Sequence, residues 1–582
     1  VSLVFYGALA AAFYTLVLGA VWPARDGSDF SAALLGLIAK SLWLSWLVVV
    51  VCYWLDLNNP LPMLLGAVII ALAYQWLRRQ RRIVLRNPVA VVIVLIVTVG
   101  LCLFLFRGGL GSGTDRLIFM NTDPVSSWNN WAIELSRNTY NPYDGAYPVL
   151  FPGIWSLVYK AQGASSVWIF AKLTMFIIPT IVAGMVGLLL SSQLMVTALA
   201  YTAFAGVFFF FLHSYPMLFG NMDMPLAALC MAAGVAMVVA VQQMEHGKSA
   251  GDTVILAALF AGLASITKQT GATTLPPLLL LIAAGLWNRK LGRLDALVSS
   301  GVAAIPLATF LLMFLAKQPD PLGNLGNLQN IRQMAGSDPL QLGWQHVQNM
   351  LPIWMLATVG LLATVNLLYF RTLSGWMGVL FLALAIAGFF VFSKYLAYEE
   401  RNGWWIISLL ATSALFSVAR FDSSSWLASR AVEIRACYLP TTLAVLVLVV
   451  AFMIQYRVSD EKAVLTQLFD QEVIAGYDVA PILKKLQPAL ERGDVLLTEY
   501  GMVRWFPGMM DHVALCGSKD KNCVRKTFSE HARDHVFVLI QRGVLEYPGL
   551  KRLLSPEKLM AESNGYAFYG PFDAVDAQLI ED

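Results

Sequence analysis

The chain has 582 residues, 58% of them hydrophobic and only 13% charged, a composition too apolar for a soluble globular protein and typical of one that crosses a membrane many times. A net charge of +4 says little by itself, because in such a chain the placement of Lys and Arg matters more than their sum. No motif points to nucleic acid. The first residue is Val rather than Met, so a segment before it is left open.

Apolar intervals able to cross a bilayer, about 20 residues each, occur near 3–22, 32–55, 60–77, 86–106, 166–190, 194–212, 223–242, 252–268, 274–287, 295–316, 351–369, 376–394, 403–420 and 436–456. They predict a polytopic α-helical membrane protein of about fourteen transmembrane helices. The interval 274–287 is short for a full crossing. Basic clusters set the orientation, because short cytoplasmic loops are enriched in Lys and Arg. The strongest, Arg78–Arg82, fixes its loop as cytoplasmic, and alternation from there brings Gln243–Gly251, Asn288–Arg293, Arg371 and Arg420–Arg435 to the same side. The opposite, outer face receives the polar interval Asp115–Pro152, the turn ending at Asp223, the Lys268–Gly271 segment, the 317–350 loop, Tyr398–Asn402 and the polar tail.

The longest polar interval, Asp115–Pro152, reads as an active-site loop. Trp128, Trp131 and the tyrosines around Tyr147 favour the membrane–water interface. Ser126 to Asn138 suits an interfacial helix, and Asp123 just ahead of it is either its N-cap or a general base. Asp115 has the same two readings. Asp223 opens an apolar span, where the helix dipole favours a carboxylate and an ionisable group at the edge of hydrocarbon tends toward function. Lys268, in ITKQTG, either snorkels or binds a lipid phosphate. Glu399, Glu400 and Arg401 form a charged cluster, and His213 is a lone histidine nearby.

From about Val458 the chain has ordinary polarity. DEKAVLTQLFDQ and PILKKLQPALER read as amphipathic helices, and 494–500 and 535–541 as buried strands, which together predict a small extracytoplasmic α/β domain. Four of the six cysteines, Cys52, Cys102, Cys230 and Cys437, lie in or beside apolar spans. The other two, Cys516 and Cys523, enclose a short polar loop and predict a disulfide in an oxidising compartment.

The order of these segments resembles a family. An acidic residue in the first large outer loop, an aromatic interfacial helix, a YPxLFP turn (Tyr147–Pro152), GNMDMPLA (Gly220–Ala227) and ITKQTG (Ile266–Gly271) are similar to the membrane glycosyltransferases of the GT-C fold, the class of protein mannosyltransferases and lipid A aminoarabinose transferases. The likeness covers roughly residues 86–290. It implies a GT-C-like catalytic domain at 86–457 with its outer loop at 107–165; the three spans at 1–85 depart from the family pattern as extra N-terminal transmembrane helices before its expected first helix, and the separate domain occupies 458–582. It also implies a polyprenyl-phosphate-linked sugar donor, a glycan, lipid or protein acceptor, and a multi-pass protein of the bacterial inner membrane with its active site outside. Asp123 is the principal acid in this reading and Asp223 the second. Lys268 and Arg401 lie at the donor phosphate, and Trp128, Trp131, Tyr147 and Tyr215 line the substrate. Asp-Pro replaces the family's commoner acidic pair after the loop aspartate, which leaves a divalent cation, Mg or Mn, open as a cofactor. Two other classes remain. A lipid-linked glycan ligase or polymerase would rely on clustered outer arginines, and a transporter or flippase would show repeated halves with broken spans.

The topology is testable by cysteine accessibility. A cysteine placed at Ser112 is expected to react with an impermeant thiol reagent added from outside, and one at Gln80 is not. Labelling at Gln80 alone would reverse the assignment.

Overall fold

The computed structural model describes residues 2–22, 30–77, 119, 124–142, 147–165, 167–213, 220–317, 339–397, 399–422, 486, 493–499, 503, 512–516, 521–531, 535–541, 554–563 and 566–573. The expected spans 86–106 and 436–456, the cluster Arg78–Arg82 and the helix expected at 460–471 lie outside the described residues, as does all of 481–492 except Leu486. The chain forms two compact units. One comprises Val1–Ser112, Trp128–Gly163 and Phe170–Arg457, and the other Gly113–Ser127, Ala164–Ile169 and Val458–Asp582.

The first unit is helical, as its hydropathy predicts. Among the described residues, eight helices are long and apolar enough to cross a membrane: Leu3–Val21, Phe30–Leu55, Ile169–Ser191, Asp223–Glu245, Gln269–Trp287, Arg293–Ala316, Leu373–Leu396 and Glu400–Asp422. Pro339–Met350 and Ile353–Tyr369 form a further pair bent by 101°, and Leu61–Gln75, Met195–Phe209 and Gly251–Ser265 are shorter apolar helices. Every interval read as a span that falls on described residues coincides with one of these. The short interval 274–287 is lengthened at its start by a 3-10 segment, Gln269–Thr274, which runs into the α-helix Leu275–Trp287.

Asp223–Glu245 is the axis of this unit. Its most apolar stretch is wholly buried, as expected of a helix that is hydrophobic on every side. It packs against Ile177–Ser191, Gly251–Ser265 and Trp404–Asp422. Ala227, Ala228, Ala232, Ala233, Ala236 and Ala240 are small enough to let neighbouring backbones approach, and dispersion then does the work that hydrophobicity cannot do in lipid. Polar groups add direction, as where Ser408 Oγ donates to the Ala227 carbonyl at 2.9 Å. The N-terminal helices are integrated in the same way. Within Phe30–Leu55, Trp43 Nε1 donates to the Val302 carbonyl at 2.8 Å and Trp46 Nε1 to Thr309 Oγ1 at 2.9 Å, and Ser2–Ala12 packs on Leu150–Gln162.

In the second unit the described strands are β1 (Val495–Thr498), β2 (Val513–Leu515), β3 (Val536–Gln541), β4 (Leu559–Ser563) and β5 (Tyr566–Phe572). They form one mixed sheet in the order β2-β1-β3-β5-β4. β1 is parallel to β2 and β3, whereas β5 is antiparallel to β3 and β4. β1 and β3 bury both faces: Leu496, Phe537 and Leu539 lie in one apolar cluster, and Leu497, Val538 and Ile540 lie in another with Val524 and Phe528 of the helix Lys521–Glu530. Two-sided burial is why these strands read as continuous apolar runs. Cys516, just after β2, forms the expected disulfide with Cys523 in the helix, with a Cα–Cα distance of 5.6 Å.

One cap spans the first unit's sequence. Asp422, the last residue of its helix, accepts bonds from the backbone N–H groups of Val196 and Thr197 at 2.8 and 2.9 Å and from Thr197 Oγ1 at 2.6 Å. The start of the Met195–Ala205 helix is thus capped from another helix. Asp422→Ala is expected to lower stability by about 1–2 kcal/mol and Asp422→Asn by much less, because Asn caps about as well as Asp. Thermal unfolding in detergent measures the difference, and equal melting temperatures for the two variants would remove the capping role.

Candidate active site

Three chain segments, all in the first unit, bring charge to one place. The first is the turn into the axial helix. Gly220 has φ 94°, a conformation that side chains disfavour, and it turns the chain so that Asn221, Met222 and Asp223 are all buried. Asp223 is the first residue of its helix, so its carboxylate also meets the positive end of the dipole.

The second segment is ITKQTG. The helix Gly251–Ser265 ends, Thr267 Oγ1 returns a bond to the Leu263 carbonyl at 2.8 Å, and Lys268 takes an extended conformation before the 3-10 segment begins. Gly271 brings that segment back against the helix end, where an added Cβ would lie 2.0 Å from the Ala264 carbonyl oxygen. Only glycine fits this approach, which gives the motif's glycine a packing reason.

The third segment is Glu399–Asn402, which leads into the helix Trp404–Asp422. Lys268 Nζ pairs with Asp223 Oδ1 at 2.5 Å and also donates to Asn402 Oδ1 at 3.3 Å. Arg401 donates to Asn221 Oδ1 at 2.7 Å, pairs with Glu399 at 2.6 Å and reaches the second oxygen of Asp223 at 3.9 Å. Asp223 is 6% exposed, whereas Lys268 and Arg401 retain 12% and 18%, so the carboxylate is the deepest of the three.

The aromatic residues of the loop complete the arrangement. Lys268 Nζ lies 5.9 Å from the ring centre of Trp128 and 5.7 Å from that of Tyr147. Trp128 meets Trp131 edge-on at 4.8 Å, and Tyr147 stacks on Trp131 at 6.2 Å. The interfacial helix expected here is a π-helical segment, Pro124–Asn129, running into the α-helix Asn130–Ser136. Asn129, fully buried, accepts a bond from Tyr159 Oη at 2.5 Å. A backbone bond of 3.0 Å from the Leu150 N–H to the Ile266 carbonyl ties the YPxLFP turn to the Lys268 segment.

The structure therefore brings together Asp223, Lys268, Arg401, Trp128, Trp131 and Tyr147. Asp123, Asp115 and Tyr215 lie outside the described residues. Asn221, Asn402 and Asn129 take part without having been singled out in the sequence. Their amides carry no charge to mark them, and the only available signal was adjacency to Asp223, Arg401 and Trp128. His213 belongs to the packing: its Nε2 lies 3.2 Å from the Met350 carbonyl and its ring lies 4.5 Å from Trp404. Burial pushes its pKa down, and the bond to Met350 opposes this in part. Among the described residues no group of three or more His, Cys, Asp or Glu is placed to hold a metal ion. Asp223 is already engaged by two cations. The described residues thus do not fit Mg or Mn.

No protein-family model and no curated protein matches the chain. The structure is similar to two crystal structures of ArnT from Cupriavidus metallidurans, in the apo state and bound to undecaprenyl phosphate. Sequence identity is 15% in both, the TM-scores are 0.49 and 0.45, and each match covers 84% of this chain and 99% of that chain.

The central pairing can be tested by a double-mutant cycle. Asp223→Ala and Lys268→Ala should each destabilise the protein, and the double variant should recover about 1–3 kcal/mol of the summed loss, as residues in one ion-pair network do. Strict additivity of the unfolding free energies would show that the two side chains are not coupled.

Proposed function

We propose that this chain is a membrane glycosyltransferase that moves a sugar from a polyprenyl-phosphate carrier to an acceptor hydroxyl on the extracytoplasmic face of the bacterial inner membrane. The observation that carries the reading is the convergence of Lys268 and Arg401 on Asp223, with Lys268 beside the rings of Trp128 and Tyr147. Two adjacent cations suit a phosphate, the guanidinium by its planar fork and the ammonium as a point charge. An aromatic lining with a few placed polar groups is the usual make-up of a small-molecule site. Ionisable groups kept in a helical membrane protein at their desolvation cost are functional by default.

In this reading the acceptor hydroxyl gives its proton to Asp123, the general base. Its oxygen bonds to the anomeric carbon as the bond from that carbon to the phosphate oxygen breaks. The electron pair goes to the phosphate, which leaves on its lipid. Lys268 and Arg401 meet the charge that develops there. A single displacement inverts the anomeric centre, whereas a double displacement requires a second carboxylate free to act as nucleophile. Asp223, read from the sequence as the second acid, is held by its two cations, which favours inversion.

Asp123→Asn separates catalysis from capping. Asn caps about as well as Asp but accepts no proton, so sugar transfer from a polyprenyl-phosphate donor is expected to fall about 10²–10⁴-fold with little change in melting temperature. Near-normal turnover by the purified variant would take Asp123 out of the mechanism.

A further inference from the structure

The same geometry gives Asp223 a role different from that of an acid or base, resting on the proposed phosphate-carrier chemistry. We infer that Asp223 is an internal counter-anion, a positioning residue that competes with the lipid phosphate for Lys268 and Arg401 and so keeps the spent carrier from binding too tightly.

The argument starts from charge. A sugar phosphodiester carries a single negative charge, whereas the monoester left after transfer carries about −1.5 to −2 at neutral pH, because its second pKa is near 6. The reaction therefore raises the charge on the phosphate while the phosphate stays beside its cations. Two unopposed cations in a poorly hydrated site would hold the product more tightly than the donor, and release would suffer.

In the structure the cations are not unopposed. Asp223 lies against Lys268 Nζ at 2.5 Å and within 3.9 Å of Arg401, and Glu399 lies against Arg401 at 2.6 Å. Among the described residues, each of the two cations thus faces a carboxylate. Asp223 is also the most deeply buried of the four and is fixed at the start of the axial helix, so it cannot follow a departing ligand. Lys268 has a flexible stem and a second acceptor in Asn402, and Arg401 is anchored by Asn221 as well. When a phosphate enters, the cations reorient toward it and Asp223 keeps part of their charge. When the phosphate leaves, Asp223 reclaims it. The side chain acts through Lys268 and Arg401, and no bond to the sugar is made or broken by it.

Two short probes test this with the full-length protein in detergent: farnesyl phosphate for the monoester, and its methyl ester, farnesyl methyl phosphate, for the diester. Dissociation constants are measured for the wild type, Asp223→Asn and Asp223→Glu. Asp223→Asn is expected to tighten the monoester about tenfold, the effect of one charge-assisted interaction, and the diester by less, so that the preference for monoester rises. Asp223→Glu, which keeps the charge, should restore the wild-type preference. A merely structural role would lower the melting temperature and weaken both probes without changing their ratio. Should Asp223→Asn not fold, Asp223→Ser carries the test, since it too removes the competing charge and should raise the monoester preference. An unchanged preference in the folded variant overturns this inference alone. Failure of the wild-type protein to bind either probe overturns the phosphate-carrier reading and this inference with it.

Discussion

An ionised carboxylate taken out of water carries a penalty of several kcal/mol that local partners have to offset, and Asp223 is such a carboxylate. Its partners come from far along the chain: Lys268 is 45 residues away, and Arg401 is held by Asn221 across 180 residues. Satisfying one charge therefore fixes three chain segments, the entry to the axial helix, the return at Lys268 and the entry to the Trp404–Asp422 helix. The loop follows, because the Leu150–Ile266 backbone bond places the Tyr147 turn against the Lys268 segment. What looks like an active site is also the point at which the helices of the first unit are registered against each other.

Much of this could be read from the sequence because the physics is local. Hydropathy over about 20 residues is what a bilayer demands, so the apolar intervals recur as helices wherever the residues are described. In the tail, β1 and β3 were legible because strands buried on both faces are continuous apolar runs. The interval 274–287 shows the limit of that approach. Its helix draws its first turns from Gln269–Thr274, polar residues that a hydropathy window discounts and that the Lys268 turn places there.

What hydropathy could not give was tertiary pairing. Asp223, Lys268 and Arg401 were each visible as a charge beside a span, with the bland readings of dipole partner, snorkelling lysine and solvated ion pair still open. Asp223 does stand at a helix start and Arg401 does pair with Glu399, so both bland readings describe real contacts. They are incomplete because each side chain also has a partner more than forty residues away. The strands β2, β4 and β5 were missed for a related reason. β2 is only three residues long, and the other two are paired antiparallel at one edge of the sheet, where alternation is broken by register shifts.

The cap at Met195 bears on the order in which the first unit can be finished. Ribosomes deliver the chain from its N-terminal end, and the carboxylate that satisfies the Val196 and Thr197 amides lies 226 residues downstream of Val196. Until Asp422 has been synthesised, that helix starts with open donors, and the intermediate must satisfy them by other means. Completion of the early helices is thereby postponed to the arrival of a late one, so a chain truncated just before Asp422 would have the preceding hydrophobic segments in place and still lack the polar contact that locks them.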